Sequence, residues 1–326
     1  MIVVTGGAGF IGSALVWALN RRGEDDILIV DQLRETEKWK NLVGLRFNDY
    51  LDKSVFIDQL TRGHFGDRLR AILHLGACSA TTEKDADYLM ENNYRYTARI
   101  AAWRETQPGC RLIYASSAAT YGDGARGYVD DEADLLNLRP LNMYGYSKHL
   151  FDLLAQRKGW LKHIVGLKYF NVFGPNEYHK DDMRSVINKA YPQVRDDGRM
   201  RLFKSHRPDY QDGEQLRDFI YVKDAVAMTL FFLENSDIGG IYNIGTGRAQ
   251  TWNDVAAGLF KAAGQPLNIE YIPMPDQLQG KYQYYTCADL TKLKAAGWSK
   301  PCRPLEDAID DYVRYYLSSD AYLSST

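Results

Sequence analysis

Thr5-Gly6-Gly7-Ala8-Gly9-Phe10-Ile11-Gly12 follows the apolar run Ile2-Val3-Val4 and opens a helix-period stretch that continues to about residue 22. The glycines at 6, 9 and 12 form a Gly-x-x-Gly-x-x-Gly turn between a strand and a helix. Phosphate binding needs this arrangement. The turn must be tight, the backbone must approach a pyrophosphate with no Cβ in the way, and the helix N-terminus must aim its free N–H groups at the anion. The next apolar run, Ile27-Leu28-Ile29-Val30, ends in Asp31, where a carboxylate can accept hydrogen bonds from an adenine-side ribose. Glycines alone would mark only a capped turn; the strand before them, the helix after them and the acid beyond make this a dinucleotide site.

Working outward, runs of strand length recur at Val55-Phe56-Ile57, Ala71-Ile72-Leu73-His74-Leu75, Leu112-Ile113-Tyr114 and Ile164-Val165-Gly166-Leu167. Helix-period segments at 10–22, 83–105 and 143–156 are long enough to be right-handed crossovers between them. The pattern predicts an α/β fold, a Rossmann-type doubly wound parallel sheet. After about Asn171 the rhythm changes, because polar, Gly- and Asp-rich stretches at 178–184 and 204–215 interrupt the apolar runs. Segments 217–222, 224–234 and 241–244 then read as sheet and crossover again. We therefore expect residues 1–171, joined by about 217–246, to form the NADP-binding domain, and 172–326 to form mainly a smaller, interleaved α/β substrate domain. The Ser-rich tail 317–326 is expected to fray.

Composition narrows the function. The 326 residues are 45% hydrophobic and 25% charged with 27 Gly and 10 Pro, which suits a globular chain with a sizeable core. Forty Lys and Arg against 42 Asp and Glu give a formal charge of −2, so no basic field favours nucleic acid or anionic lipid, and neither is expected as a partner. Cys78, Cys110, Cys287 and Cys302 lack Cys-x-x-Cys spacing, so no metal site or disulfide framework is expected. With no basic leader and no run approaching about 18 apolar residues, a cytoplasmic location is expected.

Chemistry enters at Tyr144-Gly145-Tyr146-Ser147-Lys148, which sets a phenol and an ammonium about one turn apart on one helix face. A phenol near pKa 10 is a poor base at neutral pH, but a neighbouring ammonium and a positive nicotinamide ring both favour phenolate. Tyr144 would then take the proton of a substrate hydroxyl. Upstream, Tyr114-Ala115-Ser116-Ser117-Ala118-Ala119 puts Ser117 at the carboxyl edge of the fifth strand, where open α/β sheets hold ligands. Its hydroxyl can donate to and accept from the reacting oxygen. In isolation a serine pair is a turn and Tyr-x-x-x-Lys a helix surface; in this order, after the glycine turn, they point to catalysis.

These pieces resemble the extended short-chain dehydrogenase/reductase superfamily, and Asn171-Val172-Phe173-Gly174-Pro175, 217–224 and 242–247 resemble its sugar-nucleotide enzymes. The runs at 74–83, 115–122, 142–148, 174–180 and 280–283 are similar to those of the ADP-L-glycero-D-manno-heptose 6-epimerase family. The resemblance implies epimerisation at C6 of an ADP-heptose through a 6-keto sugar, for the lipopolysaccharide inner core, with NADP kept on the enzyme. It places Gly6, Gly9, Phe10, Ile11, Gly12, Asp31, Gln32, Lys38, Lys53, Leu75, Gly76, Ala77, Cys78, Ser79 and Val172 around that cofactor, with Asn92 near the nicotinamide. Tyr144, Lys148 and Lys180 are implied to touch it too. Tyr144 and Lys180 would be acid/base groups on opposite sides of the sugar, supported by Ser117 and Lys148. Ser117, Asn171, Asp182, Lys189, Phe203, Lys204, Ser205, His206, Arg217 and Tyr282 would face the ADP-sugar, Arg217 being suited to bidentate phosphate contact. A homo-oligomer is expected.

Alternatives stay open at this level. Asp31 would repel a 2′-phosphate while Lys38, Lys40 and Lys53 would attract one, so charge alone does not separate NADP from NAD. Asp181-Asp182, Lys189 and the longer segment 204–216 depart from the family pattern. A 4,6-dehydratase is disfavoured, since Ala118-Ala119 stand where its acid and base would be. A UDP-hexose 4-epimerase shares the serine, tyrosine and lysine. A redox sensor binding NADP without catalysis would have no need of the Tyr144/Lys148 pair.

Overall fold

The computed structural model describes residues 1–275 and 282–325. Gly280 and Lys281, part of the run at 280–283, lie outside the described residues. The strands are β1 (Ile2–Thr5), β2 (Ile27–Asp31), β3 (Asp49–Asp52), β4 (Ala71–His74), β5 (Arg111–Ser117), β6 (Val165–Tyr169), β7 (Asn171–Phe173), β8 (Met200–Phe203), β9 (Leu216–Arg217), β10 (Phe219–Tyr221), β11 (Gly240–Ile244), β12 (Gln250–Thr251) and β13 (Ile269–Ile272). The main helices are α1 (Phe10–Asn20), α2 (Lys53–Thr61), α3 (Ala86–Leu89), α4 (Tyr96–Glu105), α5 (Met143–Arg157), α6 (Val186–Asp197), α7 (Val222–Glu234) and α8 (Trp252–Ala262).

Seven strands form one parallel sheet in the order β11-β6-β5-β4-β1-β2-β3. This is the doubly wound arrangement the apolar runs predicted. The inner strands β1, β2, β4 and β6 are buried along their whole length, as a sheet covered on both faces requires. The order reverses between β1 and β4, and the C-terminal ends of both strands, Thr5 and His74, lie paired at that switch point. Ligands bind in such crevices. Smaller two-stranded pairings, β10-β7, β12-β9 and β13-β8, stand apart from this sheet.

Two expectations are corrected. Val55-Phe56-Ile57 is not a strand but the core of α2, capped by Asp52, whose side chain accepts from Ser54 N at 2.8 Å. Phe56, Ile57 and Leu60 are buried at helical spacing, whereas the real strand β3 is the polar edge run Asp49–Asp52, which carries no apolar alternation to reveal it. The tail does not fray either. Leu323 is buried, its N–H donates to Asn176 Oδ1 at 2.9 Å, and Trp17 Nε1 donates to the Ser324 carbonyl at 3.0 Å. One apolar side chain and side-chain partners on α1 and the 174–177 turn outweigh the fraying that serines suggest.

Under the β5 edge lies a buried ion pair, Lys168 to Asp152 at 3.0 Å. Tyr114 and Ser116 donate to the same carboxylate at 2.9 and 2.7 Å, so the charge is satisfied on every side. This cluster ties β5, β6 and α5 together one turn along α5 from Lys148.

Candidate active site

The glycine turn is shaped by its own packing. Gly6 has φ of +67° and a Cβ there would meet Gly76 N at 2.7 Å, while a Cβ on Gly12 would meet the Gly6 carbonyl at 2.0 Å. Glycine at 6 lets the turn lie against the loop after β4, and glycine at 12 lets α1 pack on the turn itself. Gly9 caps α1 with no side chain, and no acid occupies the first turn, so the helix end keeps its attraction for an anion.

Beside this turn is a cavity of about 210 Å³ whose lining includes Thr5, Asp31, Gln32, Arg34, Lys38, Lys53, Gly76, Ala77 and Asn92. Asp31 is committed first to the protein: Oδ2 accepts from Ala8 N at 2.9 Å, and Oδ1 accepts from Gln32 N at 2.7 Å and Lys38 Nζ at 2.6 Å. Oδ2 keeps a lone pair for a ribose hydroxyl. Burial and the facing cations Arg34 and Lys38 push the Lys53 ammonium down from its usual range. Three cations thus crowd one wall, offset within it by Asp31, and a phosphate there would relieve their repulsion. Asn92, expected near the nicotinamide, lies at the Lys53 end of the cavity and accepts from Lys53 Nζ at 2.6 Å. These residues fit a nicotinamide dinucleotide.

At the carboxyl edge of β5, Ser117 bonds the phenol of Tyr144 and pulls it toward phenolate, against a stronger upward push from burial. The expected help from Lys148 is not what the chain provides by itself. Lys148 Nζ donates to the Ala115 carbonyl at 2.7 Å, and burial lowers it to about 8. Asp152, one turn along α5, opposes that fall. Lys180 lies in the turn Tyr178–Met183, its Nζ 5.3 Å from the centre of the Phe10 ring at the head of α1. The structure therefore brings Ser117, Tyr144 and Lys148 together and sets Lys180 on the glycine-turn side.

At the end of β9 Arg217 is buried and stacked 5.1 Å from the Tyr282 ring and 6.0 Å from Trp252. Its guanidinium bonds only the carbonyls of Leu216 and Gln283, with no carboxylate partner among the described residues. A buried cation without a counter-charge is costly and marks a place for an anion. Trp252 Nε1 donates to Tyr282 OH at 2.8 Å. A neighbouring cavity of about 190 Å³ is lined by Asn171, Val172, Arg184 and Trp252. Phe203, Lys204 and Ser205 leave β8 toward Tyr284, whose hydroxyl accepts from His206 N at 3.0 Å. Asp182 and Lys189 sit apart on the exposed rim, where Lys189 Nζ donates to the Asp182 carbonyl at 3.0 Å.

Residues 2–245 match the profile of the NAD dependent epimerase/dehydratase family. The chain is 55% identical to the ADP-L-glycero-D-manno-heptose-6-epimerase of Nitratidesulfovibrio vulgaris strain DP4 over 98% of each chain. It is 47% identical to the enzyme of that name from Fusobacterium nucleatum, over 99% of this chain and all of the other. It belongs to this epimerase family. The crystal structure of the Helicobacter pylori ADP-L-glycero-D-manno-heptose-6-epimerase superposes with a TM-score of 0.82 at 27% identity, covering 96% of this chain and 95% of that one. Thermus thermophilus UDP-glucose 4-epimerase, solved with NAD, shares the fold at 24% identity and a TM-score of 0.78, covering 98% and 99%.

Several groups of this epimerase escaped the sequence reading. Arg34 lines the cofactor cavity from a turn with φ of +44°, and nothing in the charged run 34–40 sets it apart from its neighbours. His74 links the two halves of the site. Gly76 N donates to Thr5 Oγ1, Thr5 pairs with His74 Nδ1 at 2.6 Å, His74 Nε2 pairs with Thr97 Oγ1 at 2.8 Å, and Thr97 donates to the Asn93 carbonyl. Because both threonine hydrogens have these acceptors, the ring is neutral with its proton on Nε2. A π-helical turn, Met90–Arg95, sets Asn93 facing Ser147, which in turn donates to the Tyr144 carbonyl at 2.7 Å. The dinucleotide turn and the catalytic helix are joined by one hydrogen-bond chain.

Proposed function

We propose that the chain interconverts the C6 epimers of ADP-glycero-manno-heptose with tightly held NADP, Tyr144 and Lys180 acting as acid/base groups from opposite sides. Residues 1–171 with about 217–246 carry the dinucleotide in this reading, and most of 172–326 the ADP-sugar. A bound nicotinamide supplies the acceptor and donor for one hydride. In one direction the Tyr144 phenolate takes the O6 proton as C6 loses hydride, giving a 6-keto sugar and no net oxidation once the hydride returns. C6 lies outside the pyranose ring, so rotation about C5–C6 presents the other face without turning the whole sugar, and Lys180 delivers the proton there. Ser117 holds the reacting oxygen and steadies the phenolate. Arg217 receives the diphosphate between Tyr282 and Trp252.

The observation that supports the reading most is that two ionisable side chains stand on different elements: Tyr144 on α5 beside Ser117, and Lys180 over Phe10. The 2′-phosphate of NADP is favoured over NAD by Arg34, Lys38 and Lys53 in one cavity, where Lys38 already neutralises Asp31. The reading also carries a cytoplasmic homo-oligomer, to be measured by light scattering. The decisive experiment is proton NMR of the C6 stereocentre of ADP-heptose with the purified protein. Wild type should equilibrate the epimers, and Tyr144→Phe and Lys180→Met should each lose most turnover while retaining cofactor. Normal epimerisation by Lys180→Met would end the two-base scheme, and turnover of UDP-galactose with none of ADP-heptose would favour the 4-epimerase.

A further inference from the structure

Glu177 is fully buried in the turn that leads to Lys180. Its carboxylate receives Gly174 N at 3.2 Å, Ser185 Oγ at 2.7 Å and Tyr312 OH at 3.1 Å, and Ser185 N as well. All four are donors. A protonated acid would need an acceptor for its hydrogen, so this surround suits the ionised form. Among the described residues Glu177 has no ion-pair partner, and a buried carboxylate kept without one is costly unless its charge is used. Lys180 lies three residues along, its main-chain N–H donating to the Glu177 main-chain carbonyl at 3.1 Å, so the turn that Glu177 holds is the one that carries Lys180.

The loop is fixed at both ends of this pair. Asn176 has φ of +76° and Asp181 of +46°, conformations costly for these residues unless their surroundings impose them. Ser185 caps α6 and Tyr312, from the helix Leu305–Tyr312, receives Asn188 Nδ2 at 2.7 Å, so one carboxylate draws the turn, α6 and the C-terminal helix together. We propose that Glu177 is a positioning residue for Lys180: its buried carboxylate clamps the turn and holds the Lys180 ammonium over Phe10 for proton delivery. The proposal rests on the role given to Lys180 above.

The groups around Lys180 leave this task to Glu177. From α1 the Phe10 ring faces it. His179, beside it, is lowered to about 4 by burial, then by Lys38 and Lys180, and is neutral at working pH; Asp31 opposes this weakly. Asp181 and Asp182 follow in the chain but are exposed. Burial pushes Lys180 down and Glu177 opposes it.

The test is the pH profile of kcat for holoenzyme between pH 6 and 10, in the direction that needs Lys180 protonated, for wild type, Glu177→Gln, Tyr312→Phe and Lys180→Met. We expect Glu177→Gln to retain its cofactor, lose at least tenfold in kcat near pH 8, and move the alkaline limb to lower pH. Tyr312→Phe, which removes a hydrogen bond and no charge, should lower kcat with the limb unmoved. A limb in Glu177→Gln that coincides with wild type, with Lys180→Met inactive, overturns this proposal and leaves the two-base reading standing; an active Lys180→Met overturns both. If Glu177→Gln does not fold, Glu177→Asp keeps the charge and shortens its reach, and should lower kcat severalfold without moving the limb; wild-type kcat there also overturns the proposal.

Discussion

Lys38 and Asp31 form an ion pair at 2.6 Å on the wall of the cofactor cavity. The pair cancels the one charge that would repel a 2′-phosphate and leaves Arg34 and Lys53 to attract it. Lys38→Met should therefore expose Asp31 and remove a cation in one step. Losing a charge-assisted contact of about 1.5–3 kcal/mol corresponds to roughly 10- to 100-fold in affinity. NADP binding, followed by fluorescence titration of stripped protein, should weaken by that factor, and NAD binding should change much less. Equal losses for both dinucleotides would contradict the 2′-phosphate assignment.

Ser117 is the group that draws the Tyr144 phenol toward ionisation while burial resists. Ser117→Ala removes the downward influence, so the phenol rises further and phenolate becomes scarcer at neutral pH. We expect kcat to fall by about 10² at pH 7.5, within the usual range for one proton-transfer partner, and to recover partly as pH rises. A variant whose deficit is the same at pH 7 and pH 9.5 would show that Ser117 acts by placing substrate alone.

His74 links the two strands at the switch point and is held neutral by burial, its pKa lowered to about 3. The unfolded ring titrates near 6.5, so between those values the unfolded chain binds the extra proton and stability falls as pH falls. At pH 4.5 the two-unit gap from the unfolded value amounts to about 2.7 kcal/mol, at 1.36 kcal/mol per unit. Urea unfolding at pH 7.0 and 4.5 should show this loss in wild type, and His74→Asn should lack that share of it. The variant itself should be less stable at pH 7 through the broken Thr5 and Thr97 contacts. An identical pH dependence in both proteins would remove His74 from the acid response.

The parts of the site that could be read from sequence are those whose chemistry is local in the chain. Gly6 and Gly12 are needed by a turn of a few residues, and Tyr144 and Lys148 by one helical turn, so spacing reveals them. Ser117 is found because a strand end is visible as the end of an apolar run. Arg34 is hidden because only a left-handed turn in a charged loop directs it to the cavity. Thr5, His74 and Thr97 form a chain only after β1, β4 and α4 are adjacent, and no pattern in any one of them announces it. β3 was missed because an edge strand exposes polar residues, and α2 was misread because three apolar residues fit a strand as well as a helix.

The C-terminal tail is the remaining surprise, and it reaches the turn that carries Lys180. Leu323 N donates to Asn176 Oδ1 at 2.9 Å, Tyr178 OH donates to the Ala321 carbonyl at 3.0 Å, and the Tyr178 and Tyr322 rings stand 5.0 Å apart. Asn176 and Tyr178 flank Glu177, so these contacts brace the turn that carries Lys180. Leu323→Ala should cost about 2–4 kcal/mol, as buried leucine truncations do, and lower the midpoint of thermal unfolding. Ending the chain at Asp320 removes all three contacts. The shortened protein should keep its dinucleotide, because the tail's hydrogen bonds to Trp17, Gly44, Asn176 and Tyr178 fall outside the glycine turn, and should lose epimerisation severalfold as Lys180 gains freedom. Calorimetry and the NMR assay on the two proteins check this together: a truncated chain with wild-type melting and turnover would mean that the tail merely rests on the surface.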